Sequence, residues 1–164
     1  MTALTMAPNF TLTHVVGRPV SLGDFRGRPT VLIVTGRDST DQARQITRTL
    51  RGRYGLDALP IASILDLSGI PKMMQGMAKG RIEGGYKDAV RDATAMMQQM
   101  GQQVPADPSQ MVVMLPDWDG AVTASYGLKG VDKQAVAVAI DGNGYIRGYG
   151  TGAQGGEQIL ALFG

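Results

Sequence analysis

The run Thr30-Val31-Leu32-Ile33-Val34 constrains the fold more than any other feature of this sequence. It is apolar and β-branched with no polar alternation, the pattern of a strand buried on both faces. Such strands sit in the middle of sheets covered by helices on either side. Gly27 and Pro29 punctuate the approach to it. A helix is predicted directly afterwards. Ser39 and Gln42 have the spacing of a capping box, and Asp41 falls in the first turn, where a carboxylate complements the helix dipole. Ala43, Ile46, Leu50 and Tyr54 share one apolar face, and Gly55 supplies a stop.

The rest of the chain extends this β-α start. Phe10, Leu12 and Val15, then Pro19-Val20-Ser21-Leu22, read as short strands joined around Gly17. A strand is predicted over 59–67, a glycine-interrupted helical stretch over 71–82 and a clearer helix over 86–100. Pro105 and Pro108 mark a loop, 111–115 a buried strand, 116–120 a turn and 121–126 a short helix. Residues 135–140 and 145–149 form a hairpin about Asp141-Gly142-Asn143-Gly144, and a helix over 154–163 ends the chain. The β-α-β beginning and β-β-α ending predict an α/β protein: a mixed central sheet with helices on both faces and an N-terminal β extension. The 164 residues suffice for one core, so 1–164 is expected to be a single domain, with 68–110 as a Met-rich helical insertion.

Composition removes whole classes of function. The chain has no cysteine, which excludes disulfides, thiolate metal sites and thiol nucleophiles together. Sixteen basic and fourteen acidic residues leave a net charge of +2, too little to argue for nucleic acid. No apolar run reaches transmembrane length, and 1–10 lacks the pattern of a secretory leader, so a cytoplasmic location is the expectation.

Three stretches at each end carry a family likeness. Ala7-Pro8-Asn9-Phe10-Thr11-Leu12, Gly17-Arg18-Pro19-Val20-Ser21-Leu22 and Asp24-Phe25-Arg26-Gly27-Arg28-Pro29 resemble the N-terminal signature of the redoxins. This is the alkyl hydroperoxide reductase and thiol-specific antioxidant group, peroxiredoxin-like members of the thioredoxin fold. Asp117-Trp118-Asp119-Gly120, Tyr126-Gly127-Leu128-Lys129-Gly130-Val131 and Ile140-Asp141-Gly142-Asn143-Gly144-Tyr145-Ile146 resemble its later motifs. Residues 56–110 have no counterpart in the likeness. It implies a thioredoxin-like fold with the active site after the 31–34 strand. There the chain reads Thr35-Gly36-Arg37-Asp38-Ser39-Thr40-Asp41-Gln42. Set against a C-x-x-C pair, Ser39 and Gln42 take both cysteine positions. Set against P-x-x-x-T-x-x-C, Ser39 takes the hydroxyl and Gln42 the cysteine. The family's cis-proline is also missing, since Asp132-Lys133-Gln134 precede the hairpin.

The resemblance thus implies a degenerate redox site at Ser39 and Gln42 with Arg37 beside it, and the expectation is a non-catalytic binding or assembly module. The alternative is a peroxidase-like or other oxidoreductase by ancestry, with thiol-free chemistry near those residues. A serine nucleophile needs an adjacent base, and the single histidine, His14, lies in the N-terminal β region; Ser39 therefore reads as a helix cap. Arg44, Arg48 and Arg51 fall on one helical face and read as solvated. Asp117, Asp119 and Asp141 read as turn residues, and no metal or cofactor is predicted. Eight methionines crowd into 73–114. Met73, Met77, Met96, Met97 and Met100 are the candidate interface for a homodimer or a protein partner, because flexible thioethers suit adaptable contact. Neither a membrane nor nucleic acid is expected as partner.

Overall fold

The computed structural model describes residues 4–56 and 58–163. Its strands are β1 (Thr5–Met6), β2 (Thr11–Thr13), β3 (Pro19–Ser21), β4 (Thr30–Thr35), β5 (Ile61–Asp66), β6 (Val113–Asp117), β7 (Val136–Ile140) and β8 (Tyr145–Thr151). Its helices are α1 (Thr40–Arg51), α2 (Gln75–Gln99), α3 (Ala121–Ser125) and α4 (Gly155–Phe163). Six strands form one mixed sheet in the order β1-β8-β7-β4-β5-β6, and β2 and β3 make a separate hairpin. The strands β4, β5 and β6 run parallel, whereas β7, β8 and β1 are each antiparallel to their neighbour.

The unalternating β4 is buried along its whole length, as its composition demands. Successive side chains point to opposite faces, and the core divides accordingly. Val31 and Ile33 pack with Ile46 and Leu50 of α1 and Ile159 of α4. Leu32 and Val34 pack with Phe10, Val20, Tyr126 and Val131 on the other face. Ile46, Leu50 and Ile159 are each 0% exposed, and full burial of such a side chain contributes about 1.5–3 kcal/mol. Tyr126 anchors the N-terminal segment, meeting Phe10 edge-on at 6.4 Å and donating its hydroxyl proton to the Pro8 carbonyl at 2.7 Å.

Two expectations need correction. The 111–115 strand is displaced to Val113–Asp117 because Pro108–Gln110 form a helical turn that runs into Met111. Pro116 thereby lies inside β6, which is tolerated since β6 is the edge of the sheet. More consequentially, the two helices expected over 71–82 and 86–100 are one 25-residue helix, preceded by a short turn at Lys72–Met74. Gly80, Gly84 and Gly85 weaken it by roughly 1 kcal/mol each relative to alanine, yet no proline interrupts the hydrogen-bond ladder. Topology also favours one rod, because this segment is the crossover between parallel β5 and β6. Twenty-five residues make a rod of about 37 Å, whereas a six-residue strand spans about 20 Å. The ends of α2 therefore overhang the sheet.

Candidate functional site

The positions that the redoxin likeness assigns to cysteines lie where β4 passes into α1, and the structure brings Ser39 and Gln42 onto one loop, 131–135. Ser39 is 0% exposed. It does not cap α1 with its side chain, contrary to the sequence reading. Its backbone (φ −114°, ψ 12°) lies outside the extended region that capping uses. Instead its hydroxyl donates to the Val131 carbonyl at 2.5 Å and accepts the Gly36 N–H at 3.1 Å. Gln42 is not the other half of a capping box. Its amide nitrogen donates to the Lys133 carbonyl at 3.2 Å, and its oxygen accepts the Ala135 N–H at 2.7 Å.

Backbone bonds complete this seam. Gly36 N–H donates to Val131 O at 3.1 Å, Asp38 N–H to Asp132 O at 3.1 Å, and Arg37 N–H to the Asp132 carboxylate at 3.3 Å. The approach is so close that only glycine fits at 36: a Cβ there would meet the Asp132 carboxylate oxygen and lie 2.7 Å from its Cα. The β4–α1 turn and the loop before β7 are therefore zipped together, and the one hydroxyl proton of Ser39 is committed to Val131. Arg37 is exposed at the edge of the seam and offers no base.

His14 is not near enough in connectivity to serve Ser39, because both ring nitrogens are engaged elsewhere. Nε2 lies 3.0 Å from the Val112 carbonyl and Nδ1 accepts the Val16 N–H at 3.1 Å, an arrangement that the neutral ring with its proton on Nε2 satisfies. Tyr86 of α2 packs edge-on against it at 5.5 Å. Burial holds its pKa below the ordinary 6.5, with the Val112 carbonyl opposing that shift. The histidine ties the N-terminal hairpin to β6. Asp119 and Asp141 accept backbone N–H groups in turns, as their sequence context predicts, whereas Asp117 is the buried last residue of β6 and accepts the N–H and hydroxyl of Thr123 in α3. Among the described residues no three metal-ligating side chains cluster.

The candidate interface methionines separate. Met97 is 8% exposed and belongs to the chain's own interior, whereas Met73 at 89% and Met77 at 64% are open to solvent. Met96 is half-buried and Met100 exposed at the opposite end of α2. Met77 and Met96 are nineteen residues apart, about 28 Å along the rod, so the five residues form two patches rather than one stripe. Between them lies what the sequence reading missed: a groove of about 1030 Å³, floored by β5 and walled by α1 and α2. The signal for it was present in α2, where Ala78, Ile82, Gly85, Ala89 and Ala93 recur at helical spacing and line the groove. Such small side chains cannot reach across to the sheet.

Arg44 and Arg48 of α1 are solvated, as expected, but they stand at the rim of this groove. Arg51 is the clearest departure. Its guanidinium donates to the Leu59 carbonyl at 2.6 Å and the Gly55 carbonyl at 3.1 Å, and burial lowers its pKa to about 10. Arg48 approaches Asp92 of α2 only to 3.9 Å with both side chains exposed, a contact that contributes about 0–1 kcal/mol.

No family model matches the sequence, and no curated protein matches it. Solved structures do share its fold. A candidate thiol:disulfide interchange protein DsbE from Chlorobium tepidum is 20% identical over 100% of this chain and 99% of that one, with a TM-score of 0.62. The exposed lipoprotein thioredoxin Etrx1 of Streptococcus pneumoniae strain TIGR4 is 15% identical over 95% and 98%, with a TM-score of 0.63. The thioredoxin domain of thiol-disulfide oxidoreductase BVU-2223 from Bacteroides vulgatus is 14% identical over 99% of each chain, with a TM-score of 0.59. The fold is thioredoxin-like, and it is carried here without a cysteine.

Proposed function

We infer, from a thioredoxin-like fold that carries no thiol, that this protein is a non-catalytic binding or assembly module. The observation that carries the reading is the seam between Ser39, Gln42 and the 131–135 loop. In the redoxin likeness that loop is where the cis-proline presents a substrate backbone, which would need its free carbonyls and N–H groups. Here the Val131 and Lys133 carbonyls and the Ala135 N–H are spent within the chain. The motifs at the two ends support descent from the peroxiredoxin-like redoxins; the chemistry of that group needs a thiolate. Binding then falls to the segment that the motifs leave unmatched, α2 and its groove, with exposed Met73, Met77 and Met100 as side chains that a second copy or a protein partner would cover.

The test is direct. Peroxide consumption with a thiol reductant, and insulin reduction, should both equal the uncatalysed background. Thiol-dependent turnover of either would end the non-catalytic reading. The Ser39→Cys/Gln42→Cys double variant should also stay at background, because restored sulfur would still face a loop closed by its own backbone bonds. Sedimentation velocity across micromolar concentrations should show a dimer or larger species; a monomer throughout would remove the self-association arm.

A further inference from the structure

The groove between α1 and α2 has features that describe an occupant. Its volume, about 1030 Å³, stands at the upper end of the roughly 300–1,000 Å³ typical of pockets for one small molecule. The floor is Ile61, Ser63 and Leu65, and the α2 wall is the small-residue stripe with Ile82 and Met96. An independent observation lies at its upper end. Thr35 Oγ1 is buried without a hydrogen-bond partner, on a residue 1% exposed. Thr35 pairs with Leu65 across β4 and β5, and both line the groove. An unbonded buried hydroxyl costs about 1–3 kcal/mol, a cost that valine would avoid and that a ligand oxygen would remove.

Charge is distributed unevenly along the lining. At the end where β4 and β5 finish, Arg37 is outnumbered by Asp38, Asp66 and Asp132. Farther along α1 the balance reverses: Arg44, Arg48 and Arg51 face Asp92 alone, whereas Arg81 lies about 16 Å nearer the start of α2 than Asp92. Arg44 and Arg81 form no salt bridge among the described residues. An anion is therefore favoured in the middle and lower part of the rim and disfavoured at the top. The walls are helices whose amides are bonded internally, so an apolar chain suits them better than a peptide, whose own amides would go unpaired.

We propose that the groove binds one acyl-chain carboxylate that bears a second oxygen, a hydroxyl or carbonyl, near its far end. The carboxylate meets Arg44 and Arg48, the apolar chain lies over Ile61, Leu65 and Ile82, and the second oxygen bonds to Thr35. The eight-residue advance from Thr40 to Arg48 along α1 is about 12 Å, and Thr35 lies beyond Thr40, so a chain of about ten to twelve carbons covers the distance. The proposal deepens the binding-module reading and rests on it.

Calorimetric titration of dodecanoate and ω-hydroxydodecanoate into the full chain, at low ionic strength and below micelle formation, tests it. Saturable binding of one molecule is expected, with the hydroxylated probe about fivefold tighter through one added hydrogen bond. Thr35→Val should erase that difference while leaving dodecanoate unaffected. Arg44→Glu and Arg48→Glu, at exposed positions, should each weaken both probes about tenfold. Ala89→Trp, checked for fold by circular dichroism, should abolish binding by filling the groove. Absence of saturable binding, equal binding of dodecylamine, or binding that survives Ala89→Trp would overturn the proposal. Failure of the probes with blank redox assays removes only this ligand class. Thiol-dependent turnover would instead remove the underlying reading.

Discussion

Substituting Gln42 should cost more than substituting Ser39, the reverse of what a capping box implies. In a box the serine holds the helix and the glutamine only reciprocates. In the observed seam the two are unequal for another reason. Removing the Ser39 hydroxyl leaves Gly36 N–H and Val131 O bonded to each other at 3.1 Å, so no buried group is orphaned. The loss is then the net value of ordinary hydrogen bonds, about 1 kcal/mol. Removing the Gln42 amide strips the Ala135 N–H of its 2.7 Å acceptor in a residue that is 0% exposed. An orphaned buried N–H costs about 1–3 kcal/mol. The Lys133 carbonyl, on an exposed residue, recovers a bond from water. Releasing the glutamine side chain and gaining alanine's helix propensity offset part of the loss, about 1 kcal/mol together. Because Ala135 is fully buried, the penalty for its N–H lies at the top of that range, about 3 kcal/mol. Gln42→Ala should therefore fall near 2 kcal/mol, or about 4–8 °C in midpoint for a chain of this size. Gln42→Glu keeps the acceptor for Ala135 and should fall between wild type and Gln42→Ala at neutral pH. Urea unfolding with unchanged m-values measures all three. If Ser39→Ala proves as costly as Gln42→Ala, or costlier, the serine is a cap after all and the seam is misassigned.

His14 gives a pH signature. Its folded pKa is lowered by burial, so the unfolded chain binds more protons below 6.5 and stability falls as pH drops beneath that value. His14→Gln should flatten the dependence between pH 6.5 and about 5, and an unchanged slope in urea titrations would contradict the neutral clamp. Arg51→Met should lose about 2 kcal/mol by orphaning the Leu59 and Gly55 carbonyls, and Arg51→Lys should recover only part, because an ammonium lacks the forked donor geometry; equal recovery by lysine would show that charge alone matters. Met97→Glu should unfold the chain or lower its midpoint steeply, as an unpaired charge in the interior, while Met77→Glu leaves the midpoint within about 0.5 kcal/mol of wild type; thermal melts read both, and a benign Met97→Glu would place that methionine outside the core.

What the sequence made legible was local in origin. The β4 run, the Ile46 and Leu50 face of α1 and the Asp141–Gly144 turn each announce themselves within a few residues, by periodicity or turn chemistry. The seam does not. Ser39 and Gln42 have partners more than ninety residues away, and a serine followed three residues later by a glutamine fits a cap and a tertiary clamp equally well. The one local clue was Gly36, a glycine directly after a buried strand, which marks a place where backbone approaches closely. The arginine face was legible for Arg44 and Arg48, which are exposed, but not for Arg51. Helical spacing shows that Arg44, Arg48 and Arg51 share a side, but whether that side meets water or a groove depends on where α2 lies.

The methionines and the groove have a common cause in the geometry of α2. A crossover helix matched to the sheet would need about thirteen residues to span a strand of about 20 Å; this one has 25. The surplus projects past the sheet, with Met77 in the first turn of α2, Met100 just after its last residue and Met73 in the short turn before it. Over the sheet itself the helix carries Ala78, Gly85, Ala89 and Ala93 where leucine or phenylalanine would close the gap. Interiors ordinarily pack without large voids, so a wall of small residues beside arginines and an unbonded threonine is a departure that packing alone does not require. Methionine serves the same end, since an unbranched thioether can fold over an empty groove or swing aside from a filled one. The β4–α1 turn holds no thiol, and the length, small residues and methionines of α2 shape a groove that begins at that turn.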